Sequence, residues 1–388
     1  MEEIYLDNSA TTRMRREALE KFTEVATRCF GNASSLHACG QAAAKELNVA
    51  RRAVCASLGT REGELIFTSG GSEANDLALF GRAYAKARFR RGSRIITTAG
   101  EHASVSMPLA RLREEGYDIV EIGTRGGELA MDELHAALNE KTILVSIMMV
   151  NNETGAIYDT KTAAALTHAL APDAVFHTDA TQSYLKIPFS VRDGYDMVTV
   201  SSHKVEGPKG CGALWVAPAV IKNKGLAPRL LGGGQEDGFR SGTENVPALA
   251  AFGVAAALGQ AEWESRTAAL QRLRQLLSAR LAEDAGLREV RLNLPKNPAP
   301  HILSLTMPSI KSETMLHYLS SCGIYISSGS ACSSHGRHTA PPLAAFGLSE
   351  READCTIRVS LSPRNTEEEL SRFADALARG VATLARIR

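Results

Sequence analysis

The chain has 388 residues, of which 44% are hydrophobic and 5% aromatic, and its 44 Lys and Arg residues nearly balance its 43 Asp and Glu residues. A formal net charge of +1 leaves no basic excess for a phosphate backbone, so general nucleic-acid binding is disfavoured. The polar start MEEIYLDNSATT is unlike a signal peptide, and the longest apolar run, 246–259, is too short to span a membrane. We therefore expect a cytoplasmic protein of roughly two or three domains.

The seven cysteines are an odd number, they are widely spaced, and no two form a C-x-x-C pair. This pattern predicts neither a disulfide framework nor a metal site.

Short β-rich runs separated by helix-like stretches begin near residue 65, which predicts a mostly parallel sheet covered on both faces. The runs ILVSIMMV and MVTVSS are almost continuously apolar or small, as is typical of central strands. Helices are predicted at 73–90 and 103–115. The seven predicted strands are 65–68, 94–98, 118–122, 143–150, 175–179, 197–201 and 212–216.

A long helical run follows the glycine-rich stretch LGGGQEDGFRSGTEN and is typical of a bridge between domains. We expect a large domain over 15–258 and a small α/β domain formed by 1–14 and 259–388. The helical run is predicted at 246–285, followed by a strand at 301–307, a helix at 312–321, a strand at 356–361 and a helix at 367–387.

Lys204 follows a predicted buried strand, in SSHK, and so lies at the carboxyl edge of the sheet, where open α/β folds bind ligands. A partly desolvated amine there is a candidate for a Schiff base, although a lone lysine is more often a solvated loop residue. Asp179 ends the preceding strand on the same edge, with Gln182 one turn beyond. Such a carboxylate either pairs with the protonated ring nitrogen of pyridoxal phosphate or caps the following helix.

Two further features lie at the ends of predicted strands. In TSGGSEAN a glycine turn leads into a helix, so the amides of Gly71, Ser72 and Glu73 are placed to face an anion such as a cofactor phosphate. His102 follows the next strand and is placed to stack on a planar ring. Each feature is common by itself, but all of them fall at one edge of one predicted sheet.

Together these features resemble the class V aminotransferase family of fold-type I pyridoxal-phosphate enzymes, and more closely its cysteine desulfurases. The resemblance implies the α/β fold of those transferases, with a large domain built on a seven-stranded, mostly parallel sheet and a smaller C-terminal α/β domain. It also implies pyridoxal 5'-phosphate as cofactor, L-cysteine as substrate, a homodimer, and a sulfur-acceptor protein in iron–sulfur cluster assembly or thiolation. The matching segments are YLDNSATT, GNASSLH, TSGGSEAN, EHASV, VNNETGAI, HTDATQ, SSHKVEGPKG, GGGQEDGFRSGTEN, GSACSS and IRVSL.

By that resemblance Lys204 carries the cofactor as a Schiff base and acts in catalysis together with Cys332 and His102. Cys332 lies in the loop 327–342, whose Gly, Ser and His content predicts exposure, and the resemblance makes it the persulfide-forming nucleophile. The other implied roles are cofactor binding by Gly71, Ser72, His102, Asn152, Asp179, Gln182, Ser202, His203 and, from the partner subunit, Thr243, and substrate binding by Asn32, Asn152 and Arg358.

Alternative functions stay open. The chain is also consistent with an aminotransferase or another lyase of the same superfamily, in which Cys332 is a bystander, or with a selenocysteine lyase. A non-enzymatic scaffold is disfavoured because the expected site residues are intact. By the same resemblance, Glu206 in HKVEGPKG stands where an aromatic or small residue is more usual. We expect no extra C-terminal tail of the kind with which some relatives dock an iron–sulfur scaffold, so that particular partner is not predicted.

Overall fold

A computed structural model of the chain describes residues 3–61, 63–85, 92–329 and 341–384. Its strands are β1 (Ile4–Tyr5), β2 (Glu64–Thr68), β3 (Arg94–Thr98), β4 (Asp118–Ile122), β5 (Thr142–Ser146), β6 (Val175–Asp179), β7 (Met197–Ser201), β8 (Gly212–Val216), β9 (Arg291–Leu292), β10 (Ile302–Thr306), β11 (Ile324–Tyr325), β12 (Ser327–Ser328) and β13 (Thr356–Ser360). Its helices are α1 (Arg16–Arg28), α2 (Ala38–Ser57), α3 (Gly71–Tyr84), α4 (Ala103–Glu114), α5 (Met131–Ala137), α6 (Thr160–Leu170), α7 (Pro218–Lys222), α8 (Val246–Ala261), α9 (Trp263–Glu283), α10 (Ser312–Ser321), α11 (Pro341–Phe346), α12 (Glu350–Asp354) and α13 (Glu367–Thr383).

The large sheet has seven strands within the described residues, in the order β2-β8-β7-β6-β5-β3-β4. Neighbouring strands are parallel, except that β8 is antiparallel to both of its neighbours, β2 and β7. Every residue of β5, β6, β7 and β8 is buried. Alternate side chains enter cores on opposite faces, as Phe176 and Val175 do, which explains why these strands are almost continuously apolar in sequence. The prediction of a mostly parallel, covered sheet is confirmed.

Most predicted strand boundaries agree with the structure, but the strand predicted at 143–150 ends at Ser146. The next residues leave the ladder, although the amides of Ile147 and Met149 still donate to the carbonyls of His177 and Asp179 at 3.1 and 3.0 Å. They remain fully buried beneath the edge of the sheet, so hydropathy alone cannot separate them from the strand.

The predicted helical run 246–285 is two helices, because the chain turns at Glu262. The first, α8, packs against α1 and α2, whereas α9 packs against the C-terminal helix α13. The Glu262 carboxylate accepts a 2.7 Å bond from Arg15 at this turn. The predicted helix 73–90 ends at Tyr84, and residues 86–91 lie outside the described part.

A smaller α/β unit contains a second sheet, with strand order β12-β13-β10-β9 in the described residues, and it has its own apolar core. The N-terminal segment joins this unit, because β1 pairs with β11 and Asp7 bridges to Ser360. It then crosses to the large sheet, where the amide of Thr12 donates to the carbonyl of His203 at 2.9 Å. The smaller unit therefore lies against one edge of the large sheet. The domain boundaries remain predictions.

Within the described ranges, no helix is long and apolar enough to cross a membrane. No group of His, Cys, Asp and Glu side chains there is arranged to hold a metal ion. The cysteines that the structure describes carry free thiols.

Candidate active site

A cavity of about 430 Å³ lies at the carboxyl edge of the large sheet. The N-terminal segment forms one wall through Ser9 and Ala10, and the smaller unit contributes Ser327 and Ser328. The site residues predicted from sequence that line this cavity are Gly71, Ser72, His102, Asn152, Asp179, Gln182, His203, Lys204 and Arg358.

Lys204 lies on the short 3₁₀ turn that follows β7. Its Nζ donates to the carbonyl oxygens of Ser9 and Ala10, at 2.6 and 2.7 Å. Burial and, after it, the positive charge of Arg358 together lower the pKa of Lys204 to about 8. The amine is therefore held at the cavity wall and is much closer to neutrality at physiological pH than an exposed lysine.

Asp179 is the last residue of β6 and lines the same cavity. Its Oδ2 accepts a 2.8 Å bond from Asn75 Nδ2, and its Oδ1 accepts a 2.9 Å bond from the amide of Thr181. The carboxylate therefore forms a local turn and also faces the cavity, whereas no described helix begins directly after Asp179 for it to cap. Asn75 was missed in the sequence, although SGGSEAN contains it on the helix that follows the glycine turn.

Gln182 is held one turn beyond β6. Its Nε2 donates to the carbonyl of Ser9 at 2.9 Å, and its Oε1 accepts from Lys186 Nζ at 3.3 Å. Since the Ser9 carbonyl also accepts from Lys204, one backbone oxygen joins two residues that the sequence placed in the cofactor site.

His102 begins α4 as its N-terminal cap. Its Nδ1 accepts a 3.1 Å bond from the amide of Ser104 and lies 2.8 Å from the Ser104 hydroxyl. Because Nδ1 accepts, the neutral ring carries its proton on Nε2. Burial lowers the pKa of His102, which favours that neutral form.

The cavity has a cradle of donors around the N-terminus of α3, where Gly71 and Ser72 line the wall. Of the two neighbouring serines, Ser201 and Ser202, the one predicted from sequence does not line this wall. Ser202 is fully buried and its Oγ lies against Gly207, whereas Ser201, the last residue of β7, lines the cavity. Ser201 ends β7 whereas Ser202 begins the 3₁₀ turn, and only the Ser201 side chain faces the cavity.

Arg358, on β13, brings the smaller unit into the site. Its Nη1 donates to the carbonyl of Asn152 at 2.9 Å and to Glu153 Oε1 at 2.8 Å. Its Nη2 donates to Asp7 Oδ1 at 3.1 Å. The guanidinium is therefore fixed between two carboxylates at the cavity wall. Glu153 was not singled out in the sequence, although it lies in the segment VNNETGAI.

Two predicted residues that the structure describes lie elsewhere. Asn32 is exposed and does not line the cavity, and its Oδ1 accepts a 2.9 Å bond from the amide of Ser34, which is a turn-forming contact. Thr243 is exposed and is also absent from this chain's cavity wall. Cys332 lies outside the described residues.

Known proteins of one family resemble this chain over almost its whole length. The pattern of the Aminotransferase class-V family matches residues 4–373. The chain is similar to a NifS/IcsS protein homolog of Lactobacillus delbrueckii subsp. bulgaricus, with 39% identity over 380 residues and coverage of 96% of each chain. It is 36% identical over 380 residues to cysteine desulfurase IscS of Methanosarcina thermophila, covering 96% of this chain and 91% of that one. A solved NifS-like protein matches with a TM-score of 0.90 and 31% identity, over 99% of this chain and 100% of that chain. The chain therefore belongs to the class-V aminotransferase family.

Proposed function

We propose that the protein is a pyridoxal-phosphate-dependent cysteine desulfurase, which converts L-cysteine to L-alanine and receives the sulfur as a persulfide on Cys332. The observation that carries this proposal is the convergence of Lys204, Asp179 and Arg358 on one cavity at the carboxyl edge of the sheet. The identity of 36% to a relative named cysteine desulfurase supports the same conclusion.

The side chains of the cavity fit pyridoxal phosphate. Glycine at position 71 lets the N-terminus of α3 lie close to Thr181, because a Cβ atom at Gly71 would lie only 3.1 Å from Thr181 Oγ1. Helix amides together with hydroxyl and imidazole donors suit a phosphate, and a buried carboxylate suits a protonated ring nitrogen. We assign the phosphate to Gly71, Ser72, Ser201 and His203, the ring nitrogen to Asp179, the ring hydroxyl to Gln182, the ring face to His102 and the carbonyl carbon to Lys204.

When bound, the cofactor supplies an electron sink for the bond changes at the substrate Cα. The chain's own groups do the rest. Arg358 and Asn152 bind the substrate carboxylate, since a planar guanidinium suits such a group. Lys204, with its pKa lowered to about 8, takes the Cα proton and returns it.

The thiolate of Cys332 then attacks the substrate sulfur. A sulfur–sulfur bond forms while the bond between the substrate's Cβ and sulfur breaks, and its electron pair remains with the carbon skeleton. That skeleton takes up protons and leaves as L-alanine. A thiolate of an acceptor protein removes the outer persulfide sulfur by exchange and restores Cys332.

Replacing Cys332 by alanine tests this assignment directly. We expect Cys332→Ala to retain the yellow cofactor and bind L-cysteine, yet to lose alanine and sulfide release by at least about 10³-fold, because the nucleophile is gone. The measurement follows both products with a thiol reductant standing in for the acceptor. Cys322→Ala, at a described free thiol in the smaller unit, is the matched control and should keep the parent rate.

Full sulfide release by Cys332→Ala would contradict the desulfurase assignment. If the parent protein held the cofactor, released no sulfide, and exchanged amino groups with keto acids, the aminotransferase alternative would replace it.

We also propose that the protein works as a homodimer in which Thr243 completes the partner's cavity. Thr243 is exposed on the segment 232–245, outside its own cavity. Glu236 anchors that segment by accepting a 2.7 Å bond from the amide of Phe67. The neighbouring Leu230 and Leu231 side chains are 47% and 78% exposed, as an interface requires. Sedimentation should give twice the mass of one chain, and a fully active monomer would contradict the proposal.

A further inference from the structure

Glu153 lies in the cavity wall, on a loop between β5 and α6 whose geometry is set by Asn151. Asn151 Oδ1 accepts from the amides of Glu153 and Thr154, at 3.0 and 2.9 Å, and Asn151 Nδ2 donates to the carbonyl of Gly100 at 3.0 Å. Asn151 is fully buried and Glu153 is 6% exposed. The Glu153 carboxylate is therefore presented to the site from a firmly bonded turn.

One oxygen atom of Glu153 contacts two residues of the proposed substrate site. Its Oε1 accepts from Asn152 Nδ2 at 2.7 Å and from Arg358 Nη1 at 2.8 Å. The same Nη1 also donates to the Asn152 carbonyl at 2.9 Å, so the three groups form a closed set of bonds. Moving the carboxylate would remove one hydrogen bond from each of the two side chains at the same time.

The two carboxylates beside Arg358 are not equivalent. The side chain of Glu153 is 8% exposed and bonds at 2.8 Å, whereas that of Asp7 is 18% exposed and bonds at 3.1 Å. Short bonds between charged groups in a buried position are the stronger ones. Glu153 is thus the inner, more firmly bound partner of Arg358, and Asp7 is the outer one.

On the basis of the proposed function, we propose that Glu153 is a positioning residue, whose Oε1 holds Arg358 and Asn152 in the orientation that receives the carboxylate of an amino-acid substrate. Asp7 is the partner that the entering carboxylate displaces. A purely structural ion pair would stabilise the fold without distinguishing ligands that have a carboxylate from ligands that lack one.

The test compares L-alanine with ethylamine, which is L-alanine without its carboxylate. Both are titrated against the purified holoenzyme while the absorbance of the bound cofactor is followed. We expect Glu153→Ala to weaken L-alanine binding by about 10- to 100-fold, the range for losing charge-assisted hydrogen bonds, and to change ethylamine binding by less than about threefold. With L-cysteine, KM should rise more than kcat falls.

Three further variants separate geometry from charge. Glu153→Gln keeps a hydrogen-bond acceptor in place and should bind L-alanine within about fivefold of the parent. Glu153→Asp keeps the charge on a shorter side chain that no longer reaches both partners, and it should bind L-alanine about tenfold more weakly than the parent. Glu153→Asp also replaces Glu153→Ala should the latter not fold. Asp7→Asn, at the other end of the same guanidinium, weakens the partner that the entering carboxylate displaces and should tighten L-alanine binding.

Equal weakening of L-alanine and ethylamine in the Glu153 variants would overturn the inference, as would unchanged L-alanine binding. A parent holoenzyme that responds to L-alanine but not to L-cysteine would contradict the proposed function instead, because the substrate assignment itself would have failed.

Discussion

Lys204→Ala is expected to abolish turnover of L-cysteine, with a loss of about 10⁴-fold or more, because no other described lysine lines the cavity. Borohydride reduction of the parent holoenzyme should leave the cofactor covalently attached to the peptide that contains Lys204, and mass spectrometry of a digest reads this out independently of activity. In the variant the attachment should disappear.

Lys186 is the matched control for this prediction. Loss of hydration and the charge of Lys204 lower its pKa to about 7, so it is also an amine of low basicity near the site. Its Nζ, however, contacts Gln182 and does not line the cavity. Lys186→Met should therefore keep the covalent attachment and lose no more than about tenfold in rate. Cofactor that is trapped on Lys186, or that stays attached in Lys204→Ala, would contradict the assignment.

Asp179→Asn is expected to reduce turnover by about 10³-fold while the protein still binds the cofactor. A neutral amide cannot balance a protonated ring nitrogen, and leaving a buried charge without its partner costs about 3–5 kcal/mol. The rate of alanine formation and the absorbance of the bound cofactor are the two measurements. Asn75→Ala, which removes a neutral donor to the same carboxylate, should lose only about tenfold. A rate for Asp179→Asn within tenfold of the parent would refute the pairing.

The sequence predicted the strands of the large sheet correctly where burial on both faces determined their composition. Strands such as β6 and β7 are buried on both faces, so their sequences are continuously apolar, and the polar residues that end them stand out. That contrast placed Asp179 and Lys204 at one edge of the sheet. The same contrast did not reveal where β5 ends, because residues 147–150 are equally buried but no longer paired in the ladder.

Within the site, the sequence could not predict which way neighbouring side chains face. Ser201 and Ser202 are chemically identical, and only the position of the last strand residue decides that Ser201 faces the cavity. Asn75 and Glu153 were equally hidden, because their roles consist of contacts with residues more than a hundred positions away.

The sequence by itself determined the fold class, the edge of the sheet at which chemistry takes place, and the family resemblance, since these depend on local hydropathy and on ordered motifs. Only the tertiary structure decided how the N-terminal segment, the large sheet and β13 meet around one cavity. Nothing local in the sequence predicts that the carbonyls of Ser9 and Ala10 accept from Lys204, or that Glu153 holds Arg358. Such contacts arise from long-range packing, which brings together residues that no short-range pattern connects.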